Sequence, residues 1–586
     1  MADADISMMR HSTSHVMAEA VQSIFPEAKF AIGPAIEDGF YYDFDLPRTL
    51  TPEDLPVIEK KMREIIKKDI SFIKREVSKS DAIKQFKDQP YKLELISELA
   101  EGEITTYRSG DFVDLCAGPH IGSTREIPVD AFKLEKLAGA YWRGSEKNPM
   151  LQRIYGLAFR NKKELDEYLI LKEEIKKRDH RIIGKELDLF VFSDLVGKGL
   201  PIFTEKGSII RRILERFVVD EEINRGYKHV YTPELANIEL YRTSGHYPYY
   251  KESMYPVMKV DEEELMMRPM TCPHHFQLYA SRLRSYRELP FRIAELAKQF
   301  RYEKSGELTG LMRVRSFCLA DSHIICQKEQ ALAELNSVLD LIEYVASVLG
   351  LKAGENYRYR LSLGDRQDDK KYYQDDEAWA SAEDVLRNVL TQRKANFFEA
   401  EKEAAFYGPK IDIQMKNVAG KEDTAFTVQY DFVMPKRFKL TYIDKDGKEK
   451  EPIVIHRSSI GAIERTMAFL IEHYAGAFPV WISPVQVMII PIADRHLVYA
   501  HKLESELKSE GVRVQVDSRS ERINLKIRDA QKEKIPYMLV VGDREEAEAT
   551  VSVRLRTGEQ ANAVPFTRFK ESVKSAIAGR TIALSL

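Results

Sequence analysis

His11 and His15, four residues apart in "RHSTSHVMAEA", and Cys116 and His120, four apart in "DLCAGPH", are the residues of this sequence best suited by type to do chemistry. Imidazoles and thiols bind zinc, act as bases and serve as nucleophiles, so the four could grip a cation, cut an ester or stand apart on the surface. Spacing alone leaves these readings open. A metalloprotease is excluded, because Ser12 occupies the position where HExxH needs its glutamate. Other stretches carry charge suited to phosphates. "RYEKSGELTGLMRVRSF" sets Arg301 and Glu303 two apart, on one face if the segment is a strand, and returns through a Gly-containing loop to Arg313 and Phe317. An arginine there could grip a phosphate bidentately while the ring stacks on a purine. "HRSSIGAIERTMAFL" carries Arg465 in a helix. Taken singly, such Arg/Glu pairs are as well explained as surface ion pairs. Neither GxxxxGK[ST] nor a GxGxxG after a strand occurs, so a nucleotide bound here sits on another scaffold.

The elements that must position these groups follow from periodicity. Met17, Val21, Ile24 and Phe25 form an apolar stripe, predicting a helix over about 12–25 with His11 and His15 nearly opposite and outside the core. Around it, alternating runs and Gly/Pro turns such as "IGPAIEDGFYYDFD" predict a compact α+β domain over 1–158. The Glu/Lys-dense "NKKELDEYLILKEEIKKRDHR" predicts a linker helix over 159–182 with a solvated face. A second α+β region over 183–482 holds a strand–loop–strand from "FRIAELAKQFRYE" to "LMRVRSFCLADSHIIC". Over 483–586, "VQVMIIPIA", "VRVQVDS", "YMLVVGD" and "VSVRLR" alternate with helical segments, as in a small α/β domain. Several domains are expected of 586 residues.

Composition narrows the setting. With 44% hydrophobic and 31% charged residues, no basic-then-apolar leader and no apolar run long enough to span a bilayer, the chain is expected to be cytoplasmic with no membrane partner. Its four cysteines, Cys116, Cys272, Cys318 and Cys326, form no CxxC pair or disulfide framework, which fits a reducing compartment. A net charge of −3 is not that of a strongly basic nucleic-acid binder, so an RNA partner would need local basic surface.

In order along the chain, "RHSTSHVMAEAV", "IGPAIEDGFYYDFD", "VDLCAGPH", "AYWRGSEKNPMLQRIYG", "RDHRIIGKELDLF", "TCPHH", "RYEKSGELTGLMRVRSF", "FYGPKIDI", "TVQYDF", "IHRSSIGAIER", "FPVWISPVQV" and "KIRDAQKEKIPYMLVVGD" resemble the class II aminoacyl-tRNA synthetases, and within them the threonyl-tRNA synthetase family. The resemblance implies an α+β multidomain chain: an α+β editing domain, the linker helix, an antiparallel-sheet catalytic domain with a dimer-forming segment ending near Pro233, and an α/β anticodon-binding domain. It also implies a form without the family's N-terminal ubiquitin-like domain. The implied activity is ATP-dependent ligation of L-threonine to tRNA(Thr) through threonyl-adenylate, in a homodimer, with hydrolysis of mischarged seryl-tRNA. Carried over residue by residue, Arg301 contacts the threonine carboxylate and the α-phosphate, Glu303 and Phe317 hold adenine, and Arg313 and Arg465 clamp the outer phosphates. Lys410 adds a phosphate contact, Tyr407 lies near the amino acid, and Gln429 joins the substrate contacts. Cys272, His323 and His456 hold one Zn²⁺ per subunit, with Mg²⁺ accompanying ATP; lying 51 and 133 positions apart, these ligands could not be found from spacing. His11, His15, Lys92, Asp114, Cys116 and His120 form the editing site, which is metal-free in this family although a similar set binds zinc in the related alanyl enzyme. Glu545 and Arg554 read anticodon bases.

Threonine explains why the resemblance carries a metal. Valine is nearly isosteric with it, and a pocket separates such a pair by only ~1–3 kcal/mol. Three protein ligands leave an open coordination sphere that amino and hydroxyl groups can fill together, with Asp321 accepting from the hydroxyl. Serine offers both groups, so a second, hydrolytic site is expected. The chain departs from the family pattern at Leu319, where a glutamine is usual two residues after the stacking Phe317. Thr424 and Phe426 stand where glutamine and glycine are common, and Ser520 where asparagine often reads the anticodon. Two rival readings are an RNA-binding regulator without catalysis and a stand-alone deacylase; the retained arginines and metal-ligand candidates speak against both.

Overall fold

The computed structural model describes residues 3–418 and 420–585, and the chain divides into two compact units after Glu174, within the charged helix Lys162–Arg178. In the first unit, an antiparallel sheet runs in the order Lys29–Phe30, Gly39–Asp45, Met150–Ala158, Phe132–Tyr141, and a three-stranded sheet joins Phe72–Glu76, Thr105–Ser109 and Phe112–Leu115. Its core gathers Val16, Met17, Val21, Phe40, Ile58, Met62 and Phe132 around the first helix.

That helix corrects an expectation. It spans Asp3–Ile24, and Ser12, Thr13, Ser14 and His15 are buried with the apolar residues, so His15 is a core histidine. The apolar stripe was too narrow a guide, because short hydroxyl side chains can be buried once they are hydrogen-bonded. Ser12 Oγ and Thr13 Oγ1 donate to the carbonyls of Met8 and Met9 at 2.8 and 2.7 Å, and Ser14 Oγ lies 2.6 Å from Gly33 O. The helix is therefore covered on both sides rather than laid on a surface.

The second unit is built on an eight-stranded sheet, ordered Lys228–His229, Phe291–Phe300, Ser316–Cys326, Ile453–Ala462, Glu422–Asp431, Lys410–Lys416, Tyr357–Ser362, Phe397–Ala400. It is antiparallel except for its two edge pairs, as expected of a class II catalytic domain. Helix Ala331–Val348 packs on it through Leu335, Val338, Leu339, Ile342 and Val345, a helical apolar face. The expected strand–loop–strand is present, with one correction: the first strand ends at Phe300, so Arg301 and Glu303 lie in the loop rather than on a strand face. Beyond it, a five-stranded sheet runs Val514–Val516, Val487–Pro491, Tyr537–Val541, Thr550–Leu555, Gln560–Pro565, the first three parallel and the rest antiparallel. Its last strand, "QANAVP", lacks the β-rich pattern that marked the others. Among the described residues no helix is long and apolar enough to cross a membrane.

Helix Glu205–Asn224 is tied to the sheet by a buried ion pair between Glu222 and Arg457, with Ser459 Oγ donating to the same carboxylate at 2.7 Å. Glu222→Leu strands a buried guanidinium and is expected to cost about 3–5 kcal/mol, read as a lowered unfolding midpoint in thermal denaturation.

Candidate active site

His323 lies directly opposite His456 across the central ladder, and Asp321 precedes it by two residues on the same strand. Cross-strand partners project from one face, so register rather than sequence distance brings the imidazoles together. Cys272 reaches them from the first turn of helix Cys272–Ala280. One donor atom from each of the three lies within 4.8 Å of the others, and all three residues are buried. Their outer nitrogens are occupied. His456 Nε2 lies 2.7 Å from Asp431 Oδ2, and His323 Nδ1 lies 2.8 Å from His275 Nδ1, whose Nε2 is 3.3 Å from Glu295 Oε2. Imidazoles backed in this way, with the second nitrogen turned inward, characterise the surroundings of metal sites. Burial pushes the Cys272 thiol well up and the His323 imidazole well down, and it raises the Asp321 carboxyl. One thiol and two imidazoles, enclosed and mutually close, are a donor set suited to a divalent cation of borderline softness.

These three residues form the floor of a cleft of about 740 Å³ that is also lined by Arg301, Glu303, Arg313, Phe317, Asp321, Tyr407, Lys410, Gln429 and Arg465. The Arg301 guanidinium lies 5.2 Å from the centre of the Phe317 ring. Arg313 Nε donates to Glu303 Oε2 at 2.8 Å, an ion pair that spans the loop. Arg465 is held by the carbonyls of Met312 and Thr424 at 3.1 and 2.9 Å. Lys410 Nζ donates to the buried Asp412 at 2.7 Å, which also accepts from Arg360 and Ser362. Tyr407 stacks on His456, with centroids 4.9 Å apart, and donates to Gln429 Oε1 at 2.5 Å. His180, which is buried, places Nδ1 2.7 Å from Glu472 Oε1 and accepts from Leu311 N at 3.1 Å, joining the loop to the helix that carries Arg465.

Sequence reasoning passed over two cleft residues, His246 and Gln299. His246 is buried, lies 2.7 Å from Ser244 Oγ through Nδ1, and is pushed down to about 3 by burial, so it stays neutral. Both sit in ordinary-looking polar contexts, "SGHYPYY" and "AKQFRYE", that give no periodic signal.

In the first unit the two four-residue pairs converge. Cys116 Sγ lies 3.4 Å from both His11 Nε2 and His120 Nε2, and the His120 ring is stacked between His11 and Phe72 at centroid distances of 4.3 and 5.1 Å. The His15 ring is 4.3 Å from that of His120. Beside them, Lys92 Nζ meets Asp114 Oδ1 at 2.5 Å and Tyr42 OH donates to Oδ2 at 2.5 Å, all three residues being buried. Burial lowers His11, His15 and His120, the last to about 2, and raises the Cys116 thiol to about 11. At neutral pH the pocket therefore presents a protonated thiol, a poor covalent nucleophile, and neutral imidazoles whose free nitrogens can accept hydrogen bonds.

The anticodon candidates lie on helix Asp543–Glu548 and strand Thr550–Leu555. Glu545 accepts from Gly542 N at 3.0 Å and from Ser552 Oγ at 2.8 Å, while Arg554, on strand Thr550–Leu555, has a buried Nε with no partner.

Comparison with known proteins bears on all three regions. Residues 104–155 match the threonyl and alanyl tRNA synthetase second additional domain, 255–474 the class II synthetase core domain shared by the G, H, P, S and T enzymes, and 486–576 an anticodon-binding domain. The threonine–tRNA ligase of Geobacillus sp. (strain WCH70) is 52% identical over 559 residues, covering 95% of this chain and 86% of that protein. Threonine–tRNA ligase 1 of Bacillus subtilis (strain 168) is 49% identical over 581 residues, covering 98% and 89%. Among solved structures, the RNA binding domain of threonyl-tRNA synthetase from Cryptosporidium parvum Iowa II superposes with a TM-score of 0.64 at 34% identity, covering 68% of this chain and 98% of that one. On this identity and coverage, with the class II core lying over the cleft, the chain belongs to the threonyl-tRNA synthetases, the class II threonine–tRNA ligases.

Proposed function

We propose that the cleft floored by Cys272, His323 and His456 activates L-threonine with ATP, and that the pocket of His11, His15, Lys92, Asp114, Cys116 and His120 hydrolyses seryl-tRNA(Thr). The overall reaction is the ATP-dependent joining of threonine to tRNA, with editing. The observation that carries the first assignment is that one cleft gathers three metal-type donors and a set of arginines. The threonine carboxylate attacks the α-phosphorus and pyrophosphate leaves; a hydroxyl of the tRNA's terminal ribose then attacks the acyl carbon and AMP leaves. Arg301 neutralises charge at the carboxylate and α-phosphate, Arg313 and Arg465 hold the outer phosphates with Mg²⁺, and Lys410 adds a phosphate contact. Glu303 and Phe317 fix the adenine, Tyr407 and Gln429 wall the amino acid, and Asp321 accepts from the β-hydroxyl. Positioning and charge neutralisation of this kind dominate catalysis at phosphorus. Cys272, His323 and His456 would hold one Zn²⁺ per subunit, and its open coordination would favour an amino acid that offers both an amino and a β-hydroxyl group over valine, which has no hydroxyl.

For editing, a neutral imidazole takes a proton from the water that attacks the seryl ester, and the tRNA hydroxyl leaves. Lys92, fixed by Asp114 and Tyr42, steadies the charge developing on the carbonyl oxygen. The same reading assigns 1–158 to editing, 159–182 to the linker, 183–482 to catalysis and 483–586 to the anticodon, in a cytoplasmic homodimer. ATP–pyrophosphate exchange with threonine, serine and valine, before and after stripping metal, tests the ligase assignment: threonine and serine should support exchange, valine should not, and stripping should abolish it.

Arg554, with its unpartnered Nε, and Glu545 are assigned to anticodon bases, by edge hydrogen bonding of the kind RNA readout uses. Arg554→Ala is expected to weaken tRNA(Thr) charging by about 10-fold, the scale of one lost charged hydrogen bond. Exchange without tRNA should be unchanged; an equal fall in both assays would remove the assignment.

A further inference from the structure

Gln299 lies near the end of strand Phe291–Phe300, opposite Phe317 in the ladder and on the same face as Glu295. It lines the cleft and is only 1% exposed, yet its Oε1 has no hydrogen-bond partner. Its neighbours settle the orientation of the amide. Nε2 donates to Asp321 Oδ2 at 3.2 Å and to Thr271 Oγ1 at 2.9 Å, which uses both amide hydrogens and leaves Oε1 as a bare acceptor. A buried acceptor without a donor is costly, so one carried by a residue that lines a ligand cleft points to a ligand's donor as its partner.

The adjoining strand shows why the acceptor is here. Leu319, which stands where the family usually carries a glutamine, also lines the cleft and pairs with Ala297, two residues before Gln299 on the same face. Diagonal neighbours on one face of adjacent strands lie within reach of a long side chain. At this point of the cleft wall one strand presents the apolar Leu319 and the next presents the Gln299 amide.

We infer that Gln299 makes the amide contact to the amino-acid substrate that Leu319 cannot: its Oε1 accepts a hydrogen bond from the substrate's amino group, while its Nε2 holds Asp321 with Oδ1 left for the β-hydroxyl. This rests on the reading that the amino acid lies over Cys272, His323 and His456. An amino group bound to a cation through its lone pair still carries N–H donors, so both contacts are compatible. Because serine and threonine share the amino group, Gln299 sets affinity for both alike, whereas Asp321 senses the hydroxyl.

Threonine and serine binding by calorimetry, with exchange kinetics and metal content, tests this on the metal-replete full chain. Gln299→Leu is expected to raise Kd and KM for both amino acids together by about 10- to 100-fold, with the KM for ATP within about twofold and the metal content unchanged. Adding Leu319→Gln should recover most of the loss. A threonine KM within about twofold of wild type overturns the inference, as does a loss shared equally with ATP or accompanied by loss of metal, either of which marks a structural role. Absence of rescue by Leu319→Gln overturns the claim that the two positions exchange one contact. Should Gln299→Leu not fold, Gln299→Met, close in volume, takes the same measurements. Failure of the wild-type chain to bind threonine would instead sink the underlying assignment of the cleft.

Discussion

His456→Ala is expected to leave the purified chain without its cation and to lower threonine-dependent ATP–pyrophosphate exchange by about 1,000-fold or more, roughly 4 kcal/mol of transition-state stabilisation. Elemental analysis should fall from one zinc per chain to none. The reasoning starts from the donors. Cys272, His323 and His456 bring one atom each within 4.8 Å of the others, and losing one leaves two, too few to hold a borderline cation against water. The substitution also strips the buried Asp431 carboxylate of its imidazole partner at 2.7 Å, although Asp431 keeps the backbone donors of Val433 and Met434 at 2.8 and 2.9 Å. Cys272→Ser separates the two effects, since it touches no carboxylate and should give the same loss of metal and rate. Asp431→Asn should weaken metal binding by about 10- to 100-fold without abolishing it, the usual effect of removing a ligand's outer partner. Full exchange activity in a metal-free His456→Ala protein would falsify the zinc assignment.

The second large effect belongs to the other pocket. Lys92→Ala is expected to lower hydrolysis of seryl-tRNA(Thr) by about 1,000-fold, on the scale of a lost electrostatic stabiliser, while threonine-dependent exchange is unchanged. Mischarged product should accumulate when serine is supplied. Because Lys92 and Asp114 are both buried, removing the ammonium also leaves a carboxylate uncompensated, at a cost of about 3–5 kcal/mol to the first unit. The double variant Lys92→Met/Asp114→Asn relieves that cost, since a neutral amide can still accept from Tyr42, so its stability should return while deacylation stays lost. Recovery of deacylation along with stability would show the pair to be structural only. His11→Ala, which keeps the Lys92–Asp114 pair intact, should reproduce the loss of hydrolysis without the loss of stability.

Legibility in the sequence followed the distance over which each feature is built. Arg301, Glu303, Arg313 and Phe317 lie within one short segment, so their clustering could be proposed from spacing, although the strand stops one residue before Arg301. His323 and His456 became neighbours only through ladder register, and Cys272 through the start of a helix, neither of which periodicity reveals; family resemblance supplied all three. His15 was misplaced because Ser12, Thr13 and Ser14 read as polar but bond to carbonyl oxygens and travel inward with it. Gln299 was invisible for a related reason: in "FRIAELAKQF" it is one more polar residue on an alternating strand, and only the structure shows that its oxygen is enclosed and unmatched.

The first helix has a consequence for how this molecule can change over generations. Its histidines line the pocket to which editing is assigned, from a segment whose neighbouring side chains, Val16, Met17, Ala20 and Val21, form the interior of the first unit. Accuracy in translation and the ability to fold are therefore selected on one stretch of some twenty residues. Gradual decay of proofreading by drift in that stretch would expose the whole unit to misfolding, so a lineage that no longer needs the function has an easier course in deleting the unit than in letting its pocket erode.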